Sequence, residues 1–147
     1  MKDLLLITPP FTQLNTPYPA TAYLKGFLNT KNISSYQIDL GIEVILEIFS
    51  KKGVTQIFNV KPENLSENTQ RIFALKEEYI KTIDEVIAFL QNKKPTLARQ
   101  ICSMNFLPEA SRFNQLDDME YAFGNMGLQD KAKHLATLYL EDLSDYI

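Results

Sequence analysis

A single cysteine, a single histidine and no tryptophan in 147 residues remove several kinds of chemistry at once. Cys102 alone cannot form an internal disulfide, build a zinc cluster or ligate an iron–sulfur cluster. In ARQICSMNF, with Arg99 one turn away, it lacks the set of basic partners that marks a reactive thiol and reads as a structural cysteine. His134 has no nucleophile–base arrangement around it, so a stand-alone hydrolase finds no machinery here. A one-sided charge is missing too. Fifteen basic against 18 acidic residues leave a net −3, which offers no attraction to nucleic acid or to an anionic membrane. Lys51-Lys52 and Lys93-Lys94 are isolated pairs and read as solvated helix ends. Long apolar runs are absent as well. The opening MKDLLLITPP has only Leu4 to Ile7 before Thr8 and two prolines, too short for a signal core or a membrane span, so a cytoplasmic chain is expected.

The hydrophobic share is 45%, ordinary for a globular protein. A chain of this length buries roughly 68–70% of its unfolded surface and can hold a real core. Leu4 to Ile7 is a continuous apolar run and reads as a parallel-sheet strand covered on both faces. Pro9 and Pro10 cannot donate to a ladder and end it. Phe11 to Tyr18 form a loop. From Pro19 a helix begins, with Ala20, Tyr23, Leu24, Phe27 and Leu28 as its apolar stripe and Ala22 and Gly26 as a small groove for close approach to a sheet. It stops at Asn29-Thr30-Lys31-Asn32, and SSYQIDL reads as a second strand. Strand, helix and strand in this order form a β–α–β unit.

The texture then turns helical. GIEVILEIFSKK is expected as one helix, and GVTQIFNVKPEN as either strand or helical continuation. TQRIFALKEEYIKTIDEVIAFLQN is expected as a single long helix on the spacing of Ile72, Leu75, Tyr79, Ile83, Val86 and Leu90. Thr96 is placed to cap the next helix, LARQICSM. A short helix is expected near Asp118 to Asn125, and a last one over LQDKAKHLATLYLEDLSDYI. Two parallel strands alone make a poor sheet. The expectation is therefore the start of a larger α/β domain, with residues 1–52 as the β–α–β segment and first helix and residues 53–147 as a helical insertion packed on it.

In open α/β sheets ligands bind beyond the carboxyl ends of the strands, where the loop from Pro9 to Pro19 falls. No glycine lies between Thr8 and Tyr18, so neither a dinucleotide fingerprint nor a phosphate-cradling loop can be built. Prolines stiffen the loop instead, which suits a flat, partly apolar ligand or a neighbouring domain. Gln13, Asn15 and Thr16 would supply hydrogen bonds, unless Asn15 or Thr16 serves only a turn or cap. Tyr18 either closes over a ligand or plugs the sheet edge. Asp39 either meets a ribose-like hydroxyl or caps the helix that follows. Glu43 and Glu47 read as a solvated face, and Asp130 with His134 as a surface pair.

LLLITPPFTQLNTPYPATAYLKGFLNTKNISSYQIDLGIEVILEIFS resembles the N-terminal cobalamin-binding-like domain of radical S-adenosylmethionine proteins, often labelled Fe–S oxidoreductases. The resemblance rests on Pro9-Pro10 after the strand, Pro17-Tyr18-Pro19 before the helix, the AYLKGFL helix and the QIDLGIE strand end. It covers about the first 50 residues. It implies a partial Rossmann-like unit that caps cofactor or substrate, with Pro9, Pro10, Phe11, Gln13, Asn15, Thr16, Tyr18 and Asp39 lining the crevice. The 4Fe–4S cluster and S-adenosylmethionine would belong to a C-terminal barrel of the same polypeptide, since CxxxCxxC is absent here. DxHxxG is absent too, so cobalamin would bind without an axial histidine. This chain would carry no catalytic residue. The alternative is a stand-alone, non-catalytic helical module that forms homodimers through exposed apolar helix faces.

Overall fold

A computed structural model describes residues 3–12, 18–60, 63–118 and 127–147, and divides the chain into two compact units, Met1–Ile48 and Phe49–Ile147. The class is mixed α/β, mostly helical. Among the described residues no helix is long and apolar enough to cross a membrane.

The first unit runs β1 (Leu4–Thr8), α1 (Ala20–Thr30), β2 (Ser35–Asp39) and α2 (Leu40–Ile48). The strands pair in parallel, with Leu4 opposite Ser35 and Thr8 opposite Asp39. The turn out of α1 explains why the chain can reverse so quickly. Asn32 takes a left-handed φ of 54°, and the amides of Asn32 and Ile33 return to the carbonyls of Asn29 and Leu28. This is a Schellman ending, in which asparagine fills the position that glycine usually takes. Asn92 ends a later helix in the same way.

Two expectations for this unit change. β1 is not covered on both faces: Leu4, Leu5 and Ile7 are exposed, because a sheet of two strands has no neighbours to cover them. Nor does α1 use most of its apolar stripe to meet the sheet; of that stripe, Leu28 turns inward. Its inward residues are Thr21, Lys25 and Leu28, spaced by four and three. Thr21 Oγ1 lies 3.5 Å from Thr8 Oγ1, and Lys25 Nζ donates to the Ser35 carbonyl at 3.3 Å. Tyr23, Leu24 and Phe27 face outward, at 78%, 52% and 58% exposure. A Cβ on Gly26 would meet nothing within 4 Å, so the expected close approach at that glycine does not occur.

The second unit contains α3 (Lys51–Phe58), α4 (Glu67–Ala74), α5 (Lys76–Leu90), a 3-10 turn at Pro95–Leu97, α6 (Ala98–Cys102), a 3-10 segment at Ser111–Asp118, and α7 (Leu128–Ser144). The expected helix over residues 41–52 is two helices. Ser50 is extended, and its hydroxyl accepts from the Gly53 amide at 3.0 Å, which starts α3 afresh. The segment left open between strand and helix is therefore helical through Phe58. The expected long helix over 69–92 is also two, interrupted at Leu75, where no glycine, proline or capping side chain accounts for the break. Thr96 caps nothing; Pro95 opens a 3-10 turn that leads into α6. The short helix expected from Asp118 to Asn125 falls mostly on residues 119–126, outside the described residues.

The core of this unit is apolar, with Val54, Ile72, Ile83, Val86, Ile101, Leu135 and Leu143 fully or almost fully buried. Each such side chain contributes about 1.5–3 kcal/mol relative to exposure. Phe58, Tyr79, Tyr139 and Tyr146 form a connected aromatic group, with Tyr79 stacked on Tyr139 at 4.9 Å and Phe58 tilted against Tyr146 at 4.8 Å. One carboxylate, Asp142, is fully buried among them. Its Oδ1 accepts from Ser111 Oγ at 3.4 Å, the Arg112 amide at 3.3 Å and Arg112 Nη1 at 3.2 Å. Arg112 also grips Asp145 through both Nη atoms and reaches Glu141 at 3.4 Å.

Removing one partner of a buried ion pair strands the other charge and is expected to cost several kcal/mol. Arg112→Ala should therefore lower stability by about 3 kcal/mol, read as a reduced urea midpoint. A midpoint within error of the parent would overturn the clamp. Asp145 titrates below the ordinary carboxylate range, chiefly through its hydrogen bonds from Arg112 and against the effect of burial. A depressed folded pKa means stability that is complete above the unfolded value, near 4, and fades as pH falls through the lower folded value. Asp145→Asn should accordingly flatten the decline of stability below about pH 4.

Candidate functional site

The loop after β1 begins with a turn whose residues hold each other. Pro10 and Phe11 are its central pair, and Thr12 Oγ1 donates to the Pro9 carbonyl at 2.8 Å. Phe11 has a φ of 59°. Proline followed by a positive φ is the signature of a type II turn, whose third position normally takes glycine or asparagine. A phenylalanine in that conformation costs about 1–3 kcal/mol. Its ring is 66% exposed, so core packing does not offset the cost.

The sheet register places the other candidates. Thr8, the last residue of β1, is buried and lies opposite Asp39, the last residue of β2. Pro9, Pro10 and Phe11 thus leave the same end of the sheet at which Asp39 sits. Tyr18 is exposed just before α1. Gln13, Asn15 and Thr16 lie outside the described residues.

Asp39 is engaged in capping. Its Oδ1 accepts from the Gly41 amide at 3.0 Å and from the Ile42 amide at 3.4 Å, which satisfies two of the free donors at the start of α2. Of the two roles open to it, the geometry has the cap in place. The end of the sheet therefore presents exposed prolines and an exposed phenylalanine on the side where the half-buried Asp39 sits. Such a surface can hold a flat apolar face by contact and offers little to a phosphate.

In the second unit, Pro95, Thr96, Ala98, Arg99, Leu128 and Gln129 line a groove of about 410 Å³. Gln129 Nε2 donates to the Pro95 carbonyl at 2.9 Å, which ties its two sides together. Cys102, at the end of α6, is half-buried, and its thiol points to the Leu128 carbonyl at 3.6 Å. Burial pushes the thiol pKa up, with Lys131 pulling the other way, so it is not poised as a thiolate. His134 is half-buried on α7. Among the described residues no three histidine, cysteine or acidic side chains are grouped to hold a metal. Sequence reasoning missed the buried set around Asp142. The signal was an aspartate on the apolar face of the last helix, between Tyr139 and Tyr146.

No protein-family model matches the chain, and no curated protein or solved structure is significantly similar to it.

The capping role of Asp39 is directly testable. Asp39→Ala should cost α2 about 1 kcal/mol, so the Gly41 and Ile42 amides should exchange with solvent roughly five- to tenfold faster. Asp39→Asn, which keeps a capping oxygen, should leave them close to the parent rate. Unchanged exchange in the alanine variant would remove the cap.

Proposed function

We propose that this chain is the N-terminal, cobalamin-binding-like part of a radical S-adenosylmethionine enzyme, a partial Rossmann-like unit that caps cofactor or substrate and is not catalytic alone. The observation that carries the reading is Phe11. A bulky residue held at positive φ, with its ring in solvent, at the carboxyl end of a parallel strand is a costly arrangement with no packing return. A ligand laid against the ring would supply that return. The exposed faces of β1 support the same reading, since an apolar parallel strand is normally an interior one.

The residues fit cobalamin held by contact and not by an axial ligand. Pro9, Pro10, Phe11 and Tyr18 would bear on it, with Gln13, Asn15 and Thr16 from the rest of the loop. The unit that contains this loop has no histidine. The radical chemistry would come from the cluster and S-adenosylmethionine of a C-terminal barrel in the same polypeptide. The role of this chain would be to exclude water from that site and to orient what lies between.

A second reading draws on the exposed stripe of Tyr23, Leu24 and Phe27 on α1. It is a non-catalytic module that pairs with a second copy through this face. Contiguous apolar surface of this kind marks interaction sites.

Two measurements separate the readings. The native polypeptide should be far larger than 16.9 kDa and yield peptides beyond Ile147 that contain CxxxCxxC. A species ending at Ile147 would remove the enzyme reading. Hydroxocobalamin should bind the chain saturably, followed by absorbance. Phe11→Gly should weaken that binding at least about tenfold while leaving the thermal midpoint unchanged or raised, because it relieves the strained φ. Tyr18→Ala should impair turnover of the complete enzyme. Equal binding by parent and Phe11→Gly would exclude the loop as the contact surface.

A further inference from the structure

Two buried polar atoms in the second unit have no hydrogen-bond partner: Tyr79 Oη and Asp142 Oδ2. Both residues are completely buried. The Asp142 charge acts on the Tyr79 phenol, so the two groups are neighbours. Tyr139, Asp142 and Tyr146 follow one another along one face of α7 at spacings of three and four. The Tyr79 ring, on α5, stacks on Tyr139 at 4.9 Å and meets Phe58 at 6.4 Å, while Phe58 lies 4.8 Å from Tyr146. Tyr79 therefore packs directly on Tyr139, one turn before Asp142 on α7, and is linked to Tyr146 through Phe58.

The bonding on each side is otherwise assigned. Asp142 Oδ1 takes three donors from Ser111 and Arg112, which leaves Oδ2 as an acceptor only. The neighbouring Tyr139 Oη has Thr82 Oγ1 at 3.1 Å and the Tyr79 carbonyl at 3.3 Å, so it is not free to serve either atom. Burial, and after it the Asp142 charge, push the Tyr79 phenol up, so the hydroxyl keeps its proton and remains a donor. One atom thus needs an acceptor and the other needs a donor. No direct bond joins them.

We propose that a single internal water molecule is bound between Tyr79 Oη and Asp142 Oδ2, accepting from the phenol and donating to the carboxylate. Water is the smallest ligand that is donor and acceptor at once. Buried waters characteristically satisfy such otherwise unpaired groups and link the elements that carry them. A cation is disfavoured because Arg112 already neutralises Asp142. The site would join α5 to α7 behind the Arg112 clamp.

A crystal structure of the 147-residue chain at about 2 Å or better should show an ordered oxygen within roughly 2.6–3.2 Å of both atoms. A direct Tyr79–Asp142 hydrogen bond, or no ordered oxygen between them, would overturn the proposal. Tyr79→Phe gives an independent reading with little change of shape. If the bridge exists, the thermal midpoint should fall by about 2–4 °C. If the hydroxyl is merely unsatisfied, its removal should leave the midpoint unchanged or raise it, and either result counts against the water.

Discussion

A carboxylate with no exposed surface must be paired, and Asp142 sets the terms for the larger unit. Its partners are not drawn from its own helix. Ser111 and Arg112 stand at the start of a 3-10 segment, and both a side chain and a backbone amide converge on one oxygen. That convergence fixes the segment against α7 at a definite register, which apolar contact alone does not do. Asn68 adds a further fixed point, accepting from the Ser111 amide at 3.1 Å and donating to Asp145 at 3.0 Å. The beginning of α4, the 3-10 segment and the end of α7 are thereby held by one polar set. The apolar core beside it supplies the bulk of the stabilisation.

The smaller unit answers a different constraint. Its two strands pair in parallel, and a parallel pair is normally covered by layers on both faces. The polar residues lie where the core would be expected: Thr8 against Thr21, and Lys25 on the Ser35 carbonyl. The apolar residues of β1 and α1 lie where solvent would be expected. The polar contacts are enough to seat the helix on the sheet, and they leave an apolar surface for something else.

Much of this was legible in the sequence, and the failures have physical causes. Both strands, their parallel pairing, α6 and the last helix followed from apolar runs, periodicity and breakers. Helix interruptions were less legible. Ser50 could have been read as a cap, but the apolar pattern runs straight through it, and nothing at Leu75 announces a break. The direction of α1 could not be read at all. Periodicity identifies a stripe and assumes that the stripe faces inward, and for α1 the inward face carries a threonine and a lysine. At the candidate site, the proline loop and the position of Asp39 were visible. The left-handed Phe11 was not, because sequence offers glycine or asparagine as the signal for that conformation and this turn uses neither.

Phe11 and the outward stripe of α1 therefore belong to one argument. Single exposed apolar side chains are ordinary and need no explanation. Here the exposure is organised. Three residues on one face of a helix, apolar side chains along a strand and a strained aromatic at the strand's carboxyl end all lie in a unit of fewer than 50 residues. In the larger unit Ile72, Tyr79, Phe89, Leu135 and Tyr139 are buried, while Val60, Leu128 and Ile147 are exposed. The exposed apolar residues are thus concentrated in the smaller unit. Strand edges and faces call for more protein, whereas the turn at Phe11 lies where open sheets receive small ligands. Under the proposed function, the two kinds of exposure would serve two kinds of occupant, as a capping unit at the mouth of a larger enzyme would require.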